Sequence, residues 1–190
     1  CKQSPFGTTT DESANFVINS IPENSSLQLC AFASGFARKK KNTKAGEQYI
    51  QFNLKPEARI EGRVVYGDTG KPAENITIAV QGVRPTSGFA MTKTDENGYY
   101  AITNLPAGTY NVCLKEESIE WTAVAKENVK VDEDETAKNM NLELIKGGFI
   151  TGRLTYEETG EPVVNQMVGL HDASRPESQA AVYTTITDED

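Results

Sequence analysis

The sequence predicts an all-β protein made of tandem antiparallel β-sandwich modules of about 90 residues. Three observations carry that expectation. The chain repeats itself, its apolar residues alternate with a period of two, and no segment of helical length holds an i, i+3, i+4, i+7 apolar pattern. The repeat is explicit. Ile60-Glu-Gly62-Arg63-Val64-Val-Tyr66-Gly-Asp-Thr69-Gly70-Lys-Pro72 returns as Ile150-Thr-Gly152-Arg153-Leu154-Thr-Tyr156-Glu-Glu-Thr159-Gly160-Glu-Pro162, an offset of 90 (150 − 60). Thr10-Asp11-Glu12 and the residues to Pro22 match Thr94-Asp95-Glu96 and the residues to Pro106, an offset of 84 (94 − 10). Ile50, Phe52 and Leu54 likewise align with Met140, Leu142 and Leu144.

The phases of the repeat set the expected boundaries. Residues 1–56 read as the C-terminal half of a first module, 57–146 as a complete module, and 147–190 as the N-terminal half of a third. Half a sandwich leaves strand edges open, so the chain is expected to be a piece of a longer array.

The elements of the complete module follow in order. Ile60, Gly62, Val64 and Tyr66 alternate with Glu61, Arg63 and Val65, as in a half-buried strand. Gly67 to Pro72 is a turn cluster, and Ile76, Ile78 and Val80 resume the period. Asp95-Glu96-Asn97-Gly98 reads as a hairpin turn, because Asn and Gly tolerate the positive φ required there. Tyr100 and Ile102 follow, then a loop over residues 104–108. Tyr110, Val112 and Leu114 make the next strand, and Val129/Val131 and Met140/Leu142/Leu144 close the module. That is about seven short strands.

Gly62-Arg-Val, Gly70-Lys-Pro72, Thr94-Asp-Glu-Asn-Gly98-Tyr-Tyr100 and Leu105-Pro-Ala-Gly108-Thr-Tyr110 together resemble the carboxypeptidase regulatory-like domain. The resemblance extends to the broader Cna-B-like group, covering the middle module fully and its flanks in part. It implies an Ig-like or prealbumin-like (transthyretin-like) sandwich, extracytoplasmic and without catalysis of its own. In it Gly62, Gly70, Pro72, Asp95, Gly98, Pro106 and Gly108 are structural turn positions, as are Gly152, Gly160 and Pro162 in the third module.

Composition removes several function classes. With 19 Lys+Arg against 27 Asp+Glu the net charge is −8, which opposes binding to nucleic acid. No apolar run approaches the 18 or so residues of a membrane span. One histidine, His171, offers no HxxE or HExxH spacing, so a metal centre of the zinc-peptidase kind is not expected, nor is any other cofactor. A nucleophile–base pair is not evident either, and the chain reads as a non-enzyme.

Other features have plain readings. Cys30 and Cys113 occupy matching strand positions, flanked by apolar residues, and are expected as buried free thiols. Cys1 falls mid-module and reads as the end of a piece rather than a lipidated first residue. Asp95-Glu96-Asn97-Gly98, Asp132-Glu133-Asp134-Glu135 and Asp188-Glu189-Asp190 are acidic but do not fit a calcium loop. The basic run Arg38-Lys39-Lys40-Lys41 with Lys44 is expected in a solvated loop. Lys71 and Lys93 lie in polar surroundings, unsuited to a Lys–Asn crosslink within a core. For ligand contact, Tyr99 and Trp121 are the aromatic candidates, as flat faces that stack on a sugar or peptide.

The expected function is a non-catalytic repeat acting as a spacer, stalk or adhesion module of a secreted or bacterial cell-envelope protein. Its location would be secreted, periplasmic or cell-surface. Its partners would be neighbouring modules of the same chain, and protein or polysaccharide of the envelope. The alternative is a carbohydrate- or peptide-binding accessory domain attached to an enzyme, sensor or transporter.

Overall fold

In the computed structural model the described residues are 7–46, 49–115, 120–170 and 183–188. They divide into two compact units, Cys1–Gly147 and Gly148–Asp190. All regular structure among the described residues is β, in thirteen strands.

The first unit opens with a hairpin of β1 (Ser26–Ala31) and β2 (Lys39–Lys44), paired antiparallel from Ser26↔Lys44 to Ala31↔Lys39. A two-sheet sandwich follows. One sheet is centred on β3 (Ala58–Tyr66), which pairs with β6 (Tyr99–Leu105) on one side. On the other side lie β10 (Thr136–Ala137) and β11 (Leu142–Lys146), with β8 (Trp121–Thr122) beyond β11. The second sheet runs in the order β5 (Phe89–Lys93), β4 (Thr77–Gly82), β7 (Gly108–Leu114) and β9 (Lys126–Val131).

The alternation seen in the sequence becomes the core. From the first sheet Ala58, Ile60, Val64, Tyr100, Ile102, Leu142 and Leu144 point inward, and Ile78, Val80, Tyr110, Val112 and Val131 meet them from the second. Such interdigitation of two inner faces is the source of a sandwich's stability. Gly62 breaks the row of β3 for a steric reason. A Cβ there would collide with the Met140 carbonyl, which accepts a 2.5 Å hydrogen bond from the Tyr100 hydroxyl. Gly98 sits at φ +70°, and its carbonyl accepts from Val64 N at 2.8 Å.

The structure departs from the sequence expectation in four respects. First, β5 was not anticipated, since only two of its five residues, Phe89 and Met91, are large and apolar. Second, residues 95–98 do form a tight turn, with Asp95 Oδ1 accepting from Asn97 N and Tyr99 N, but it is not a hairpin. It joins β5 to β6, which belong to different sheets. Third, β10 and β11 pair with β3 in parallel, so the first sheet is mixed. Fourth, the run Arg38–Lys41 and Lys44 lies largely within β2 rather than in a loop. Its lysine stems are long enough to lie along the strand while the charges stay wet. Lys41 Nζ donates to Gln51 O at 2.6 Å and sits 5.6 Å from the Phe52 ring centroid.

In the second unit β12 (Met167–Leu170) pairs antiparallel with β13 (Tyr183–Ile186). Its turn at residues 156–160 has the bonding of the earlier one. Gly160 N donates to Tyr156 O at 2.8 Å, as Gly70 N donates to Tyr66 O at 2.7 Å, and both glycines have positive φ.

Candidate functional site

The outward residues of β3 and β6 build a hydrogen-bonded polar surface. Because Ala58, Ile60 and Val64 face the core, Arg59, Glu61 and Arg63 face outward, and register places Tyr99 opposite Arg63. The Tyr99 hydroxyl donates to Glu61 Oε2 at 2.8 Å, and Arg59 Nε lies 3.4 Å from the same oxygen. Arg63 N donates to Asn141 Oδ1 at 2.9 Å, which brings the segment before β11 against β3. Glu61, Gly62, Arg63, Tyr99, Asn139 and Asn141 thereby line a shallow, open cleft of about 430 Å³. The cleft is polar with one aromatic wall, held by a part-buried ion pair.

Trp121 is not part of it. Tyr99 and Trp121 lie on β6 and β8, at opposite margins of the same sheet. The Trp121 ring meets Tyr66 edge-on at 5.0 Å and packs against the core. Its surroundings are those of a residue closing the end of the sandwich.

The turn positions sit where backbone geometry demands them. Gly70, Gly98 and Gly160 have positive φ, and a Cβ on Gly108 would run into Thr86. Pro72 bridges Val65, and Pro162 bridges Thr155. The Pro106 carbonyl accepts from the Tyr110 hydroxyl at 2.6 Å. Gly152 is exposed with open space around it.

Sequence reasoning missed Asn104. At φ +57°, its side-chain amide donates to Ala33 O at 3.1 Å and Phe36 O at 2.9 Å. Its carbonyl accepts from Arg38 N at 2.9 Å, and its N–H donates to Glu57 Oε2 at 2.6 Å. One residue thus clamps the segment 33–38 to the β6–β7 turn, and Lys55 adds an ion pair to Glu133. The available signal was Asn itself, which adopts left-handed backbone readily. Asn24, Asn75, Asn128, Asn139 and Asn165 do the same.

The cysteines differ from expectation. Cys30 and Cys113 are only half-buried. Val112 faces the core, so Cys113 faces outward beside Ala79, where its Sγ is 3.8 Å from Ala79 O. Partial burial pushes the Cys113 thiol up from its ordinary range. Burial also pushes the Tyr110 phenol up to about 12 and raises Tyr100 further. His171, Cys1, Glu189 and Asp190 lie outside the described residues. Among the described residues no group of three or more His, Cys, Asp or Glu is placed to hold a metal, and no helix is long and apolar enough to cross a membrane.

Residues 59–144 match the carboxypeptidase regulatory-like domain family. The matched stretch is a little under half of the chain. It takes in the cleft, the Asn104 turn and nearly all of the two-sheet sandwich. Among curated proteins none matches the chain. Solved structures similar to it include the Bacillus anthracis TIE protein, at 17% identity and TM-score 0.37, covering 82% of this chain and 31% of that one. A streptococcal ancillary pilin is 12% identical with TM-score 0.37, covering 90% and 62% respectively. The shaft pilin SpaA from Lactobacillus rhamnosus GG is 9% identical with TM-score 0.37, covering 75% and 70%. The chain spans less than two thirds of the length of the first two.

Proposed function

We propose that this chain is a tension-bearing, non-catalytic stretch of tandem β-sandwich modules, a spacer or stalk in an extracytoplasmic protein. The observation that carries the reading is the parallel pairing of β3 with β11. These are the first and last long strands of the sandwich, in register at Val64↔Leu142, Val65↔Glu143 and Tyr66↔Leu144. A pull on the chain drags the start of β3 and the end of β11 in opposite directions along their own axes. The hydrogen bonds between them, such as Gly67 N to Leu144 O at 2.9 Å, are then loaded together in shear rather than peeled one at a time. The second parallel pair, Arg59↔Thr136 and Ile60↔Ala137, shares the load.

The recurrence of local bonding at a spacing of about 90 residues supports the tandem arrangement. So does the Asn104 clamp, which would serve as a stiff joint between one module and the next. Neighbouring modules of the same chain are then its principal partners. Single-molecule stretching through the chain ends tests the proposal. One discrete release of about 300 Å is expected, from 90 residues at about 3.5 Å each. Smooth extension without such an event would refute it.

The cleft at Tyr99 favours a second reading, a saccharide- or peptide-binding accessory domain. Titration with envelope polysaccharide fragments, read by chemical-shift changes at Tyr99, Asn139 and Asn141, distinguishes it. Changes abolished by Tyr99→Ala support binding, and their absence leaves the stalk alone.

A further inference from the structure

The outer edge of β5 carries the clearest unassigned surface. Hydrogen bonds from Gly82 N to Gly88 O (2.9 Å) and Thr94 N to Ile76 O (3.0 Å) fix the phase of its pairing with β4. By the alternation of an antiparallel ladder, Ala90 and Thr92 direct their backbone groups at β4, whereas Phe89, Met91 and Lys93 direct theirs outward. Among the described residues no strand pairs with that edge.

Nor is the edge blunted in the usual ways by proline or a run of charge. The opposite edge strand, β9, carries three charges, Lys126, Glu127 and Lys130, in its six residues. On β5 the side chains beside the free backbone groups are Phe89, 58% exposed, and Met91, 47% exposed. Lys93 is the one charge, and its Nζ is drawn aside to Asn75 Oδ1 at 3.0 Å. Behind Met91 the register aligns Ala79 and then Cys113 across the outer face. Ala79 is buried there, so this face already has an apolar row leading to the edge.

We propose that β5 pairs antiparallel with β5 of a second copy of this chain, about a two-fold axis at Met91. The sequence Phe89-Ala-Met91-Thr-Lys93 is self-complementary in this one register. Met91 lies opposite the partner's Met91, and Phe89 lies opposite the partner's Lys93. All three residues with free backbone groups are used, each pair exchanging two hydrogen bonds. A one-residue slip would offer Ala90 and Thr92, whose backbone groups are already spent on β4. Centring on Lys93 would set like charges face to face, which is unfavourable. In the chosen register the lysine's aliphatic stem lies against the phenyl ring, and the two thioethers meet at the axis. The two four-stranded sheets become one, with the row Cys113–Ala79–Met91 continued by the partner's Met91. This lateral pairing is separate from the stalk reading and does not rest on it.

The test uses the full 190-residue chain with its native cysteines changed to serine. Met91→Cys should form a disulfide-linked dimer under mild oxidation at least tenfold faster than Thr103→Cys, an exposed control on β6. The Cα spacing of about 5.5 Å in such a pair suits a disulfide. Sedimentation of the wild-type chain should show a concentration-dependent dimer. Met91→Pro, which removes an N–H unused within the sandwich, should abolish it. Phe89→Lys should weaken it and Phe89→Glu restore it opposite the partner's Lys93. A wild-type chain monomeric at every concentration would overturn the proposal. So would a dimer indifferent to Met91→Pro, or equal crosslinking at positions 91 and 103.

Discussion

Thr187 is bonded as Thr94 is. The Thr94 hydroxyl donates to Ala73 O at 2.6 Å and accepts from Ile76 N at 2.9 Å. The Thr187 hydroxyl donates to Val163 O at 2.7 Å and accepts from Gln166 N at 3.0 Å. Each stands just after a strand and ties it to the segment leading into its partner strand, β4 or β12. Near the N-terminus Asp11 Oδ1 accepts from Ser13 N and Asn15 N, as Asp95 Oδ1 does from Asn97 N and Tyr99 N.

Thr94 is buried, so replacing it by valine leaves a carbonyl and an N–H without partners in a dry site. Thr94→Val is expected to cost about 1–3 kcal/mol. Urea unfolding followed by Trp121, the single tryptophan, reads this as a lowered midpoint with unchanged slope. Thr187→Val lies in the other unit, and the Trp121 transition should stay where it is.

Alkaline pH should unfold the sandwich through its two core tyrosines. The Tyr110 pKa is raised from 10.0 to about 12, and Tyr100 is shifted in the same direction. For a phenol whose folded pKa lies above its unfolded value, the linked stability is complete below the unfolded value. It falls as pH rises from about 10 through the folded pKa. Stability should therefore be flat in this respect below pH 10 and decline steeply above it. Tyr110→Phe should soften that decline, measured by urea midpoints across the pH series.

Gly62→Ala places a methyl group against the Met140 carbonyl, which is backbone and cannot swing aside. The Tyr100-to-Met140 hydrogen bond has to stretch or the segment before β11 has to move. A loss of about 1–3 kcal/mol is expected, as for overpacking elsewhere. Chemical shifts of Met140 and Asn141 should move most.

Asn104 has two duties that substitution can separate. Asn104→Gly keeps the left-handed backbone and removes the amide that holds Ala33 and Phe36. Asn104→Ala adds a backbone penalty of roughly 1 kcal/mol. Both variants should speed hydrogen exchange at Ala37 and Arg38, whose amides donate to Lys55 O and Asn104 O. Only the alanine variant should also lower the Trp121 midpoint appreciably.

Much of this architecture was legible because period-two alternation reports burial directly. Ile60, Val64, Ile78, Val80, Tyr100, Tyr110 and Val112 are core residues where their spacing says they should be. Strand β5 was opaque because its inward residues, Ala90 and Thr92, are small or polar, and its two large apolar residues, Phe89 and Met91, face outward. Pairing partners were also opaque. Nothing local to Leu142 or Val64 says that they are neighbours, or that they run parallel. Of the candidate site, Tyr99 was visible as an aromatic out of phase with the core. Its companions Arg59, Glu61, Asn139 and Asn141 were not, since an outward polar residue looks alike whether it meets solvent or a neighbour.

The bond between β3 and β11 also bears on how the domain comes into being. Val64 must wait for Leu142, 78 residues further along, before its strand has both neighbours. Closing so long a loop is costly in entropy and slow. A chain emerging from its N-terminus therefore carries Ile60 and Val64 uncovered on that side until residue 146 has appeared. Its folding is deferred until nearly the whole domain has been made.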